Sequence, residues 1–132
     1  MVSLDANIVI YLVEHNPVWE PKATARITAL LAAGESLGTS DATRLECLVQ
    51  PLRSGDAGVL SDYATFFASP LIEMLPVTVA IWERAARLRA TYNFKPLDSI
   101  HLATAIIHGC SRFLTNDTQL SICTDIVVEF LT

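Results

Sequence analysis

The sequence predicts an α/β domain with a core on both faces of its sheet, and three observations predict it. Short apolar runs of strand length alternate with longer stretches of helical spacing along the chain. Hydrophobic residues make up 52% of the chain and mean hydropathy is +0.41, which suits a two-faced core and an apolar interface with a partner. The opening run Val2-Ser3-Leu4-Asp5-Ala6-Asn7-Ile8 reads as a buried strand that stops on an acid and leads into a helix bearing Val9, Leu12 and Val13. In open α/β sheets ligands bind outside the carboxyl ends of the strands, so an acid at Asp5 is placed for chemistry. A helix N-cap is the competing role for the same residue.

At 132 residues the chain predicts one domain, 1–132, that buries roughly two thirds of its unfolded surface. After the first helix, Asn16-Pro17 marks a turn. A second helix carries Ala23, Ile27, Leu30 and Leu31 on one face and stops at Gly34. Glu35 to Thr39 holds a short strand, and Ser40-Asp41 opens a helix with Leu45, Leu48 and Val49 facing the core and Glu46 beside them. Pro51 and Ser54-Gly55 end or kink that helix, and Asp56 caps another through Leu60, Tyr63, Phe66 and Phe67, closed by Ser69-Pro70. Leu71 to Leu75 is a strand. Thr78 begins a long helix with Val79, Trp82, Ala86 and Leu88 as core residues, and Glu83 with Arg87 at the spacing of an exposed pair. Asn93 to Pro96 connects to an apolar helix that begins at Leu97 and ends near Gly109. Arg112 to Leu114 forms a strand, and Thr115-Asn116-Asp117 repeats the pattern of a strand ending in an acid. A short helix then runs to Ile122, and Ile126 to Phe130 makes the last strand.

No apolar run approaches the roughly 18 residues that span a membrane, and no basic region precedes the first apolar stretch, so a cytoplasmic protein is expected. Cys47, Cys110 and Cys123 are odd in number, widely spaced and set among apolar residues; they read as buried free thiols, with no disulfide framework or zinc knuckle. A net charge of −5 argues against a nucleic-acid partner. That objection weakens if several of the 14 acids hold divalent cations.

Four acids, Asp5, Glu46, Asp98 and Asp117, each lie in or beside an apolar segment near a helix start or a strand end. Burying such charges is costly unless they are paired or bind metal, and few basic residues stand near them in sequence. A divalent cation is the economical partner. Oxygen-only ligation points to magnesium or manganese.

Taken in order, Leu4-Asp5-Ala6-Asn7, Arg44-Leu45-Glu46, Asp98-Ser99-Ile100-His101-Leu102-Ala103-Thr104-Ala105 and Thr115-Asn116-Asp117 resemble the PIN-domain ribonucleases. More narrowly, the set is similar to the VapC-type toxins of bacterial and archaeal toxin–antitoxin pairs. The resemblance covers nearly the whole chain and implies a PIN-like, Rossmann-like parallel sheet flanked by helices on both faces. The four acids would gather at its carboxyl edge around one or two magnesium ions. Asp5, Glu46 and Asp98 would carry most of the ligation, Asp117 would complete the site directly or through water, and Asn7, Thr115 and Asn116 would orient the ligands. Metal-activated water would attack an RNA phosphodiester. The family also implies a homodimer and an antitoxin whose C-terminal segment crosses the active site. Leu120 departs from the aromatic that relatives often carry there, and Pro51 to Ala68 matches no motif of the family.

Blander roles compete for the same residues. Asp5, Asp98 and Asp117 suit helix caps or first-turn acids, and Glu46 suits a surface pair with Arg44 or Arg53; four such coincidences in the family's order favour the site. His101 and His108, seven residues apart on one helix face, could be ligands, but core or interface positions are the favoured reading, and His15 reads as solvated. Arg84, Arg87 and Lys95 could line an RNA groove, with a solvated helix face favoured over it. A receiver-like phosphoacceptor domain is a second function class, because Lys95-Pro96 echoes its Lys-Pro, but Asp5 has no acidic neighbour. A haloacid dehalogenase-like phosphatase fails on Asn7, which stands where a second Asp is required. A PIN fold that only binds RNA or protein would be marked by a lost acid, and all four are present.

Overall fold

The computed structural model describes residues 1–132. Five strands, β1 (Val2–Leu4), β2 (Leu37–Ser40), β3 (Ile72–Leu75), β4 (Arg112–Thr115) and β5 (Val127–Phe130), form one sheet in the order β3-β2-β1-β4-β5. Every neighbouring pair is parallel. The connections are made by α1 (Ala6–Val13), α2 (Trp19–Ala32), α3 (Thr43–Ser54), α4 (Ala57–Phe67), α5 (Val79–Tyr92), α6 (Pro96–Ile107) and a 3-10 turn over Thr118–Ile122. No helix is long and apolar enough to cross a membrane.

Because parallel strands need crossovers that return over the sheet, both faces are covered. On one side Val2, Leu4, Leu37 and Leu114 pack with Ile8 and Val9 of α1, Ala23 and Leu30 of α2, Cys47 of α3 and Tyr63 and Phe67 of α4. On the other, Leu75 and Phe113 pack with Ile81, Ala85 and Leu88 of α5 and Ile100, Leu102, Ala103 and Ala105 of α6. Phe113 and Leu114 thus serve opposite cores, as the two-residue period of a strand requires. The all-parallel sheet between two helical layers is the predicted α/β architecture.

The strand order reverses around β1. The chain steps from β1 out to β2 and β3, then crosses back to lay β4 on the other flank of β1 and β5 beyond it. The crevice beyond the carboxyl ends of β1 and β4 is therefore the switch point of the sheet, where open α/β folds place their ligands. Ser3 pairs with Phe113 and Leu4 with Leu114, so Asp5 and Thr115 follow at the same level on adjacent strands.

Several local readings hold. Gly34 and Gly55 take positive φ values of 86° and 69° just past α2 and at the end of α3, conformations open to glycine at little cost. Asp56 caps α4 by accepting from the Val59 N–H, and Thr78 precedes α5. All three cysteines are free and buried, and burial pushes the Cys47 thiol up to about 12.

Helix phase is where the structure departs from expectation. Helix α3 buries Thr43, Cys47 and Pro51, leaving Leu45 58% and Val49 36% exposed. Its phase is set by buried hydroxyls: Thr39 Oγ1 donates to the Leu4 carbonyl at 2.9 Å and lies 2.8 Å from Thr43 Oγ1, tying the first turn of α3 to the end of β1. Pro51 lies inside α3, which runs on to Ser54. Helix α5 likewise buries Ile81, Ala85 and Leu88 and turns Val79, Trp82 and Ala86 outward. Leu31, expected on the buried face of α2, is exposed.

Candidate metal centre

Each site residue is placed by a short piece of local structure. Asp5 ends β1 and is the N-cap of α1: its Oδ1 accepts from the Ala6 N–H at 2.8 Å. Its Oδ2 accepts from the Thr115 hydroxyl at 2.7 Å, which crosses from the end of β4. Capping and site roles thus coexist, with only 4% of Asp5 exposed. Glu46 lies in the first turn of α3, one turn on from the anchored Thr43. Asp98 lies in the first turn of α6, after Pro96 at the helix start, where acids also complement the helix dipole. Asp117 caps the 3-10 turn by accepting from the Gln119 N–H at 3.0 Å.

These segments converge on one edge of the sheet. Ligand atoms of Asp5, Glu46 and His101 all lie within 4.8 Å of one another. Asp98 stands outside that tightest group but feels it: burial, then the charges of Asp5, Asp117 and Glu46, push its carboxyl up to about 6. Burial also raises Asp5, and the nearby His101 and the Thr115 hydroxyl only partly counter it. A carboxylate cluster held this way is electrostatically strained and takes up a proton or a cation.

Thr115 organises the surroundings. Its hydroxyl donates to Asp5 and accepts from the Asp117 N–H at 3.0 Å and from Asn7 Nδ2 at 3.4 Å, which uses its full hydrogen-bonding capacity. Asn7 and Thr115 therefore touch the acid-bearing groups. Asn116 turns elsewhere: its amide donates to the Tyr11 hydroxyl at 3.1 Å and holds the β4 turn against α1.

His101 is the residue that the sequence offers as a possible ligand but ranks as a core or interface position. The core position favoured for it describes its burial, at 1% exposure, but not its direction, for it enters the acid cluster with Nε2 3.5 Å from Glu46 Oε1. Neither ring nitrogen has a hydrogen-bond partner. Burial would lower its pKa, yet Glu46, Asp5 and Asp98 together leave it raised. The useful spacing was Asp98 to His101, three residues apart on one helix face, rather than His101 to His108. His108 is exposed, with Nε2 3.1 Å from the Pro76 carbonyl oxygen. Glu46 does not take the surface pairing proposed for it, since Arg44 pairs with Asp41 at 3.4 Å. Arg84, a candidate for an RNA groove, is engaged by Asp125 at 2.8 Å, while Arg87 and Lys95 are exposed.

The PIN domain family model matches residues 2–123. The chain belongs to the PIN domain family. The fold of this PIN domain is shared by solved structures of low identity. VapBC2 from Rickettsia felis bound to a DNA fragment from its promoter matches with a TM-score of 0.82 at 15% identity, over 100% of both chains. DNA-bound VapBC from Salmonella typhimurium matches at 0.75 and 17% identity, over 99% of this chain and 98% of that one. VapC20 from Mycobacterium tuberculosis, a Sarcin-Ricin loop cleaving toxin, matches at 0.70 and 15% identity, over 96% and 99%. No curated protein matches this PIN domain. Its donor set suits a divalent cation: carboxylate oxygens from separate elements, too crowded to stay comfortably charged, and a buried imidazole with no partner.

Proposed function

We propose that this PIN domain is a metal-dependent endoribonuclease, the toxin of a toxin–antitoxin pair acting in the cytoplasm. The observation that carries the reading is the gathering of Asp5, Glu46 and Asp98, with Asp117 beside them, at the switch point of the sheet, where burial and the neighbouring acids together raise the Asp98 carboxyl to about 6. The solved VapBC complexes and the Sarcin-Ricin loop cleaving toxin VapC20, which share its fold over nearly the full chain, support the same reading.

Asp5, Glu46 and Asp98 would hold a magnesium or manganese ion, and Asp117 would complete the set. When bound, such a cation supplies Lewis-acid chemistry, acidifying water and neutralising charge on a phosphodiester. The protein's own part is positional. Thr115 fixes the rotation of the Asp5 carboxylate through Oδ2, and the Ala6 N–H fixes its other oxygen. Asn7 braces Thr115 in turn. No nucleophilic side chain is needed. The partners in this reading are an RNA substrate, a cognate antitoxin protein and a second copy of the chain, and the exposed Trp82, Val79 and Leu45 supply apolar surface for protein contacts.

Calorimetry with magnesium or manganese, comparing wild type with Asp98→Asn, tests the metal site, and cleavage of structured RNAs tests the reaction. Metal binding and metal-dependent cleavage in wild type, both lost in the variant, are expected. A folded wild type that neither binds metal nor cuts RNA would overturn the proposal.

A further inference from the structure

We propose that His101 is itself a ligand to the cation, through Nε2 alongside Asp5 and Glu46, and that this nitrogen tilts the site toward manganese over magnesium. The inference rests on the reading of the site as a metal centre and names its ion preference.

Geometry carries the argument. Within the cluster, a ring nitrogen of His101 and carboxylate oxygens of Asp5 and Glu46 all lie within 4.8 Å of one another, close to twice a ligand bond of about 2.0–2.3 Å, so that a small inward shift of the side chains lets one ion touch all three; Nε2 is the nitrogen facing Glu46, 3.5 Å from its Oε1. The ring belongs to α6, where Ser99 to Ala105 are all buried, so it cannot swing out to solvent. Both ring nitrogens are buried without a hydrogen-bond partner, and the 3.5 Å approach to Glu46 is too long for a good hydrogen bond. A buried polar group left in that state is destabilising, and a ligand bond to Nε2 would relieve it. Asp98, on the same helix face one turn earlier, supplies a further carboxylate from the same rigid element.

The ion preference follows from donor chemistry. Both ions favour oxygen ligands, but magnesium is the smaller, holds rigidly to its octahedron and sheds water reluctantly, whereas manganese, a first-row transition ion, accepts an imidazole nitrogen more readily. A site of carboxylates alone separates manganese from magnesium weakly. One imidazole among the carboxylates widens the gap.

The test is pulsed electron paramagnetic resonance on the protein loaded with manganese, with the metal alone as probe. Wild type should show ¹⁴N modulation of imidazole type that converts to the ¹⁵N pattern when histidine is ¹⁵N-labelled. In His101→Gln the modulation should vanish. Manganese affinity should fall about tenfold or more, while magnesium affinity changes by less than about twofold. The labelling arm uses wild type, so the result stands even where the variant folds poorly. Manganese bound without nitrogen coupling, or an unchanged manganese-to-magnesium ratio in a folded His101→Gln, would overturn the role of His101 while leaving the metal-dependent nuclease intact. Nitrogen coupling in a protein that cuts no RNA would uphold His101 and overturn the nuclease instead. A wild type that binds no manganese would overturn both.

Discussion

Replacing Asp98 by Asn should make the metal-free protein more stable, an unusual outcome for a change at an active site. Burial and the charges of Asp5, Asp117 and Glu46 raise the Asp98 carboxyl from 3.8 to about 6. A shift of about two units corresponds to roughly 3 kcal/mol against the ionised form. Asp98 is only partly buried, so solvent screening reduces this to about 1.5 kcal/mol. Loss of a favourable first-turn charge on α6 takes back about 0.5 kcal/mol, leaving a net gain of about 1 kcal/mol. For 132 residues that raises Tm by roughly 4 °C. The sign fixes the pH window. An acid whose folded pKa lies above its unfolded value costs the fold stability once pH exceeds the folded value, and costs nothing below the unfolded one. The gain should therefore be full at about pH 7.5 and shrink steadily from about pH 6 toward pH 4. Thermal unfolding in chelator at these pH values measures it. Added manganese should reverse the order, because only wild type keeps all its ligands. A variant no more stable than wild type at neutral pH, or a gain of equal size at both ends, would refute the electrostatic account.

Three further predictions follow from the same geometry. Asp5→Asn should abolish metal-dependent RNA cleavage while leaving the circular dichroism spectrum intact, because the amide oxygen can still accept from the Ala6 N–H and only the Thr115 hydrogen bond is lost; retained cleavage would remove Asp5 from the site. Thr115→Val should cost about 1–3 kcal/mol in urea unfolding and lower cleavage, since Asp5, Asn7 and Asp117 all meet its hydroxyl, whereas Thr115→Ser should retain most of both. If Ser is as harmful as Val, the methyl group and not the hydroxyl is what matters. Metal affinity should weaken as pH falls below about 6, where a proton on Asp98 competes with the cation, by up to about tenfold per pH unit; calorimetry that finds no change down to pH 5 would contradict this.

Much of the fold was legible because parallel strands and capped helices write themselves locally. Val2 to Asp5 announced a buried strand ending in an acid, and Gly34 and Gly55 marked helix ends that the structure realises with positive φ. Helix phase was not legible in α3 and α5. Their apolar residues lie around most of the circumference, so composition cannot say which face is inward. The buried face of α3 carries the small residues Thr43 and Cys47, and Thr43 is tied to β1 through Thr39, whose hydroxyl donates to Leu4 across 35 positions of sequence. For the site, the acids stood out as charges in apolar surroundings. His101 carried no such mark, since a histidine in an apolar helix is ordinary until the acids from β1 and α3 are brought to it. Asn116 shows the opposite limit: adjacency to Asp117 placed it near the site, and the turn pointed its amide at Tyr11.

The pairing of β4 with β1 reaches beyond architecture. Asp5 finds its Thr115 partner across 110 positions, and the acids come from segments made early, midway and late in synthesis. A ribosome-bound chain that has emerged only as far as α6 already carries Asp5, Glu46, His101 and Asp98, yet it lacks the strand that seats them. Under the proposed function, competence would arrive only with the closing of the sheet, and a half-made copy would lack the Thr115 hydroxyl that seats Asp5. A nuclease of the proposed kind would gain a built-in delay from having its first and fourth strands as neighbours.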